Sequence, residues 1–394
     1  MSYSTPPNKP SIPVEPFEIS IPEKDITELK ELIKLSRIPK ETYENTHAEP
    51  RDGFGVSRDW LIKTKDEWLK FDWSAQETRL NAQPNFIAKV KNSDDIEYSV
   101  HFSALFSEKK DAIPIILSHG WPGCYLEFLP IFELVRKKYS PADLPFHLIT
   151  PSLPGYLFSQ QPAKDREFNV KDIAYLFNGL MEGLGFGDRY IAQGGDIGSS
   201  ISYELAASFP ACKAIHLNFR RSLISHPEVL KLQGKSEYTL QDQIAELQKF
   251  GYALEHATKP STIGLVLGTN PLSLLTWIGE KYLGWSDQDL STETILTFTS
   301  LYWFTDSYNS TIYTYRYNLG SKRGGPSAED KYQDKPVGFS FFPNELAPSP
   351  PKWVEKVANV VWSREHKSGG HFAALEKPAE LWQDVEEFVG QVWK

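Results

Sequence analysis

The chain has 394 residues, of which 40% are hydrophobic, 24% charged and 13% aromatic, enough for a sizeable core in two or three structural units. A formal net charge of -9 gives no basic footprint, which argues against nucleic acid or an anionic membrane surface as a partner. The two cysteines, Cys124 and Cys212, are too few for a disulfide framework and too far apart for a paired-thiolate metal motif, and fit a reducing cytoplasm. No apolar run reaches the length of about 18 residues that a bilayer needs, and the opening MSYSTPPNKPSIPVEP lacks the apolar stretch of a signal peptide. The expectation is a soluble, cytoplasmic protein with no membrane anchor and a Pro-rich, loosely ordered start.

From Phe17 to about Phe106 helical periods mix with many Trp and Pro residues. In DITELKELIKLSRIP the residues Ile26, Leu29 and Ile33 share one helical face. Trp60, Trp68 and Trp73 follow, and IEYSVHFSALF alternates like a half-buried strand. This block has no chemical motif of its own, so its expected role is packing. From Ile113 short apolar runs (IPIILSHG, FHLITPSLPG, DRYIAQGG, KAIHLNF) alternate with helical segments (YLEFLPIFELVRKKY, VKDIAYLFNGLMEGLGF), which predicts a parallel sheet covered on both faces. After Arg220 the texture is helical and polar to about Asp334. The strands KPVGFSFFP and KVANVVWSR then resume before a terminal helix with Leu381, Val385, Phe388 and Val392 on one face. A helical insertion of that length between two parallel strands reads as a cap over their C-terminal ends, where such sheets bind ligands.

The stretch YIAQGGDIGSSISYELA carries the chemistry. Gly194, Gly195, Asp196, Ile197 and Gly198 fit small-x-nucleophile-x-small, the sharp strand-to-helix turn of α/β-hydrolases, with Asp in place of Ser. The following helix would turn its positive dipole end toward Asp196 and keep it ionised. Taken alone, Asp196 reads equally well as an N-cap residue. Chain order favours the nucleophile: Glu345 follows one late strand and His371 the next, the succession of acid and base that this fold uses. His366 with His371 is too small a set for a metal site. In SHGWPG the backbone N–H groups of Trp121 and, after the corner, Ile197 can converge on one oxygen as an oxyanion hole, while His119 reads as a structural loop histidine.

A carboxylate at this corner suits displacement at saturated carbon. The product is an alkyl ester of the enzyme, which a base-activated water must then hydrolyse. Haloalkanes and epoxides both qualify as substrates. A halide calls for indole N–H donors, often from a Trp just after the nucleophile, where this chain has Ile197. An epoxide oxygen calls for tyrosine hydroxyls, which the insertion has in numbers that composition cannot rank.

The motifs HGWPG, QGGDIGS, GYALEHATKPSTIG, TYRYNLG, GFSFFPNEL and GGHFAALE, with the N-terminal WLKFDWSAQETRLN, together resemble the microsomal-type epoxide hydrolases of the α/β-hydrolase fold, most of all their soluble fungal branch. The resemblance covers nearly the whole chain. It implies an α/β class fold with a mostly parallel central sheet and helices on both faces. The implied domains are an N-terminal wrapping extension over 1–106, a hydrolase core over 107–220 and 335–394, and a helical cap over 221–334. By the family's motifs Asp196 is the nucleophile, Glu345 the orienting acid, an Asp in some relatives, and His371 the base. Tyr252 and Tyr315 match the two epoxide-polarising tyrosines, although TYRYNLG departs from the usual ending and places Tyr313 and Tyr317 close by. The resemblance implies an epoxide as the small-molecule substrate, no metal or organic cofactor, and a homodimer through the cap. A dehalogenase and a non-catalytic receptor on the same scaffold are the rival readings.

Overall fold

The computed structural model describes residues 3–51, 53–220, 223, 226–233, 239–319 and 328–394, without the side chains of 240–248 and 317–319. Nine strands form one sheet in the order β1-β2-β3-β5-β4-β6-β7-β8-β9. They are β1 (Val14–Phe17), β2 (Asn85–Lys91), β3 (Glu97–Leu105), β4 (Ile113–Ser118), β5 (Phe146–Pro151), β6 (Tyr190–Gly194), β7 (Cys212–Leu217), β8 (Gln333–Phe341) and β9 (Ala358–Glu365). From β5 to β9 all pairs are parallel, whereas β1, β2 and β3 add an antiparallel flank. The apolar runs seen in the sequence are these central strands. β4 and β5 are buried along nearly their whole length because helices cover both faces.

β5 lies on one side of β4 and β6 on the other, so the connections leaving the C-terminal ends of β4 and β6 diverge and open a crevice there. Every candidate residue on the core follows the C-terminal end of a strand: Trp121 after β4, Asp196 after β6, Glu345 after β8 and His371 after β9. Between β7 and β8 the chain forms helices at Pro227–Leu232, Leu240–Thr258, Pro260–Gly268, Pro271–Gly284, Thr292–Phe304 and Tyr313–Leu319. No single helix among the described residues is long and apolar enough to cross a membrane.

The N-terminal block does more than cover the core. Trp68 is buried and its indole N–H donates to Ser300 Oγ at 3.0 Å, Trp73 meets Phe304 edge-on, and Gln76 donates to Glu293, so the helices Arg58–Lys70 and Trp73–Asn81 fasten the inserted helices in place. Leu29 and Ile33 are buried as their spacing predicts. Two expectations fail. IEYSVHFSALF is not half-buried, because from Val100 onward both faces of β3 are covered. Nor is the start of the chain loose from residue 3: Phe106 donates to the Tyr3 carbonyl, Ser11 donates to the Gly183 carbonyl, and Ile12 fills the space that a side chain at Gly183 would need.

Candidate active site

The corner at Asp196 is tight for reasons visible atom by atom. A methyl group at Gly194 would stand 2.2 Å from the Gly198 carbonyl oxygen, and one at Gly198 would stand 1.9 Å from that of Ser118, so strand and helix can approach only without side chains. Asp196 itself has φ 46°, a left-handed conformation uncommon for a non-glycine residue and held here by its surroundings. The helix Asp196–Ser208 has Gly195 as its N-cap and no side-chain cap hydrogen bond. Asp196 is therefore not a capping residue. Its Oδ1 accepts from Trp121 N–H at 2.8 Å, and its Oδ2 lies 3.4 Å from His371 Nε2.

His371 joins the two carboxylates. Its Nδ1 lies 2.5 Å from Glu345 Oε1, a contact built by the loops after β8 and β9, where Asn344 bridges Gly370 and donates to the Gly369 carbonyl. Gly369 takes φ 109°, which a side chain would resist. His371 N–H donates to the Trp285 carbonyl, and the rings of Trp285, Phe219 and Phe372 stand edge-on around the imidazole. Burial among these rings would push the imidazole down, but the charges of Glu345 and Asp196 and their hydrogen bonds raise it well above its usual range.

The loop after β4 is braced from the inserted helices. Tyr282 donates to the Pro122 carbonyl and Tyr302 to that of Gly123, fixing the direction of Trp121 N–H. Ile197 is buried in the first turn of its helix, where N–H groups have no intrahelical acceptor. His119 has the structural part expected of it: its Nε2 accepts from Leu153 N–H, and burial lowers its pKa to about 4.

Tyr252 and Tyr315 come from different helices and meet over Trp121. Tyr252 stacks on the indole at 5.5 Å, and Tyr315 stands perpendicular to it at 5.8 Å. The two rings meet edge-on at 5.8 Å, and both phenols are raised well above the usual tyrosine range, Tyr252 by burial and the Asp196 charge, Tyr315 by burial, Tyr252 and Asp196. Tyr313 is committed elsewhere, donating to the Pro154 carbonyl and packing on Phe168, while the Tyr317 side chain lies outside the described residues. His366, which the sequence offered beside His371, binds Asp384 behind the sheet. Among the described residues no group of three or more His, Cys, Asp or Glu side chains could hold a metal ion.

Two residues escaped the sequence reading. His256 packs edge-on against Trp121 at 4.5 Å and takes hydrogen bonds from Trp277 and Tyr308, and burial keeps it neutral with a pKa of about 3. Its place within GYALEHATKPSTIG, four residues after Tyr252, puts both on one helical face, which was the available signal. Glu127 lies on the turn after HGWPG, beside Asp196 and His371, and burial raises its carboxyl to about 8. A lone Glu gives no such signal.

Comparisons with known proteins follow the same lines. The family model described as Epoxide hydrolase N terminus matches residues 14–128, and that described as alpha/beta hydrolase fold matches residues 113–244. The chain is 31% identical over 417 residues to Epoxide hydrolase 1 of Oryctolagus cuniculus, covering 96% of this chain and 89% of the relative. The solved structure of Aspergillus niger epoxide hydrolase superposes with a TM-score of 0.90 at 46% identity over 100% of both chains. The juvenile hormone epoxide hydrolase of the silkworm Bombyx mori superposes with a TM-score of 0.80 at 25% identity, over 98% of this chain and 95% of that one.

Proposed function

This chain belongs to the epoxide hydrolases of the α/β-hydrolase fold, and from that premise we propose that it opens its epoxide in two covalent steps carried on Asp196. The observation that supports this most is the double engagement of one carboxylate: Trp121 N–H holds Oδ1 while Oδ2 faces His371. In this reading Oδ1 becomes the ester carbonyl oxygen and Oδ2 is the attacking atom.

In the first step Asp196 Oδ2 bonds to an oxirane carbon and the carbon–oxygen bond of the ring breaks toward the oxygen. That oxygen receives a proton from the Tyr252 and Tyr315 pair. Loss of the Asp196 charge removes one of the two carboxylates that hold His371 protonated, so its pKa falls and its proton replaces the one the tyrosines gave. Ring opening thus leaves a neutral imidazole, which is what the next step requires. In that step His371 Nε2 takes a proton from water as the water oxygen bonds to Asp196 Cγ. The oxyanion on Oδ1 meets the N–H groups of Trp121 and Ile197. Collapse then expels the vicinal diol oxygen, which takes the hydroxyl proton left on Cγ, and restores the ionised Asp196 with His371 protonated. Glu345 steadies the imidazolium throughout.

The test is His371→Gln with styrene oxide, read by intact-protein mass. The proposal expects the ester to accumulate as one added substrate mass, absent in Asp196→Ala. A His371→Gln protein that is inactive and never gains mass would contradict it.

A further inference from the structure

Beside the Asp196 and His371 pair lies a small chamber lined by Ser118, Glu127, Asp196, Asn218 and His371, with a volume of about 20 Å³. That is room for one water molecule and little more. The two glycines of HGWPG shape it. A methyl group at Gly120 would stand 2.1 Å from Asp196 Oδ1, and one at Gly123 would stand 1.5 Å from Glu127 Oε1. The loop therefore gives up both side chains to let two carboxyl groups in. One is the nucleophile. The other, Glu127, has no part in the two covalent steps.

We infer that Glu127 positions the hydrolytic water in this chamber for attack on the Asp196 ester, an inference that rests on the covalent reading above. A water there needs two to four polar partners, and the lining supplies them. His371 Nε2 receives one of its protons, the Glu127 carboxyl accepts the other O–H, and the oxygen lone pair is left facing Asp196 Cγ. Ser118 adds a buried hydroxyl with no protein partner among the described residues. The neutral form of Glu127 suits this place. Burial raises its carboxyl to about 8 against the opposing pull of His371, so a second negative charge does not compete with Asp196 in the free enzyme. The step balances without further groups: the water oxygen bonds to Cγ, one proton goes to His371, and the O–H held by Glu127 stays on the tetrahedral carbon.

The variants that test this are Glu127→Leu, which keeps the bulk and removes the hydrogen bond, and Glu127→Gln, which keeps a neutral acceptor. Rapid-quench kinetics with styrene oxide, with intact mass to follow the ester, separates ring opening from ester hydrolysis. Glu127→Leu should slow hydrolysis about a hundredfold, the scale of a misplaced reactant, and leave ring opening within about threefold, whereas Glu127→Gln should hydrolyse within about fivefold of the wild type. A Glu127→Leu protein that hydrolyses its ester at the wild-type rate, or that slows both steps alike as a merely structural change would, overturns the inference. Ester in His371→Gln but none in Glu127→Leu overturns the water role alone. No ester in either removes the covalent reading and this inference together.

Discussion

His371 Nε2 stands 3.4 Å from Asp196 Oδ2 while Nδ1 of the same ring lies 2.5 Å from Glu345 Oε1, so one imidazole is shared by two carboxylates. In the resting protein this geometry favours the protonated ring. In the proposed reaction Asp196 becomes an ester, only Glu345 then remains charged, and the imidazole can accept a proton.

That relationship sets a pH dependence for each half of the reaction. His371 is raised in the free enzyme, so its protonated form persists through neutral pH and is lost only as pH rises through the raised value. Ring opening, which draws on that proton, should decline on the alkaline side. Ester hydrolysis needs the neutral ring and should decline on the acid side, with a midpoint below that of ring opening. Single-turnover rates measured across pH check this, and coincident midpoints would show that the Asp196 charge does not control the imidazole.

The tyrosine pair gives a second expectation. In the proposed reaction hydrogen bonds from Tyr252 and Tyr315 strengthen as alkoxide character develops, so Tyr252→Phe and Tyr315→Phe should each slow ring opening by about a hundredfold and alter substrate binding much less. Tyr313→Phe should leave the opening rate near the wild-type value, because that hydroxyl serves the Pro154 carbonyl. Rapid-quench rates at saturating epoxide separate the three.

Much of this site was legible because its signals are local or ordered along the chain. The glycines at 194 and 198 are demanded by contacts within one turn, and Glu345 and His371 follow successive strands, so chain order singled them out. Tyr252 and Tyr315 were legible only through the resemblance, since their meeting over Trp121 is set by how separate helices pack. β1 and β2 went unread. Pairing makes them strands, β2 with β3 and β1 with β2, and the four residues VEPF of β1 are too few to show an alternation. Glu127 went unread because the chamber it lines is assembled from β4, β6, β7 and the loop after β9.

Stability away from the site has its own buried charge. Asp384 is fully buried behind the sheet, where it accepts from Arg364 at 2.7 Å and from Ser340 at 2.5 Å and lies 2.6 Å from His366, tying the terminal helix Pro378–Val392 to β8 and β9. Burial opposes its charge, but the hydrogen bonds from His366 and Ser340 and the His366 charge outweigh it, and its pKa is lowered. Asp384→Ala should cost about 3 kcal/mol, because it strands three polar partners. The contribution of a lowered carboxyl is present above its unfolded pKa of about 3.9 and lost as pH falls through the folded value, so the gap between variant and wild type should close in acid. Urea unfolding at neutral pH and at acid pH measures both.

The fate of one oxygen atom tests the central claim most directly. In a single turnover in ¹⁸O-labelled water with enzyme in excess, hydrolysis of an Asp196 ester leaves the label in the Asp196 carboxylate, and the diol carries the enzyme's ordinary oxygen. Mass spectrometry of the peptide containing Asp196 should show one heavy oxygen, with the first diol unlabelled. A labelled diol released from an unlabelled peptide would mean that water attacks the epoxide directly and that Asp196 never bonds to it.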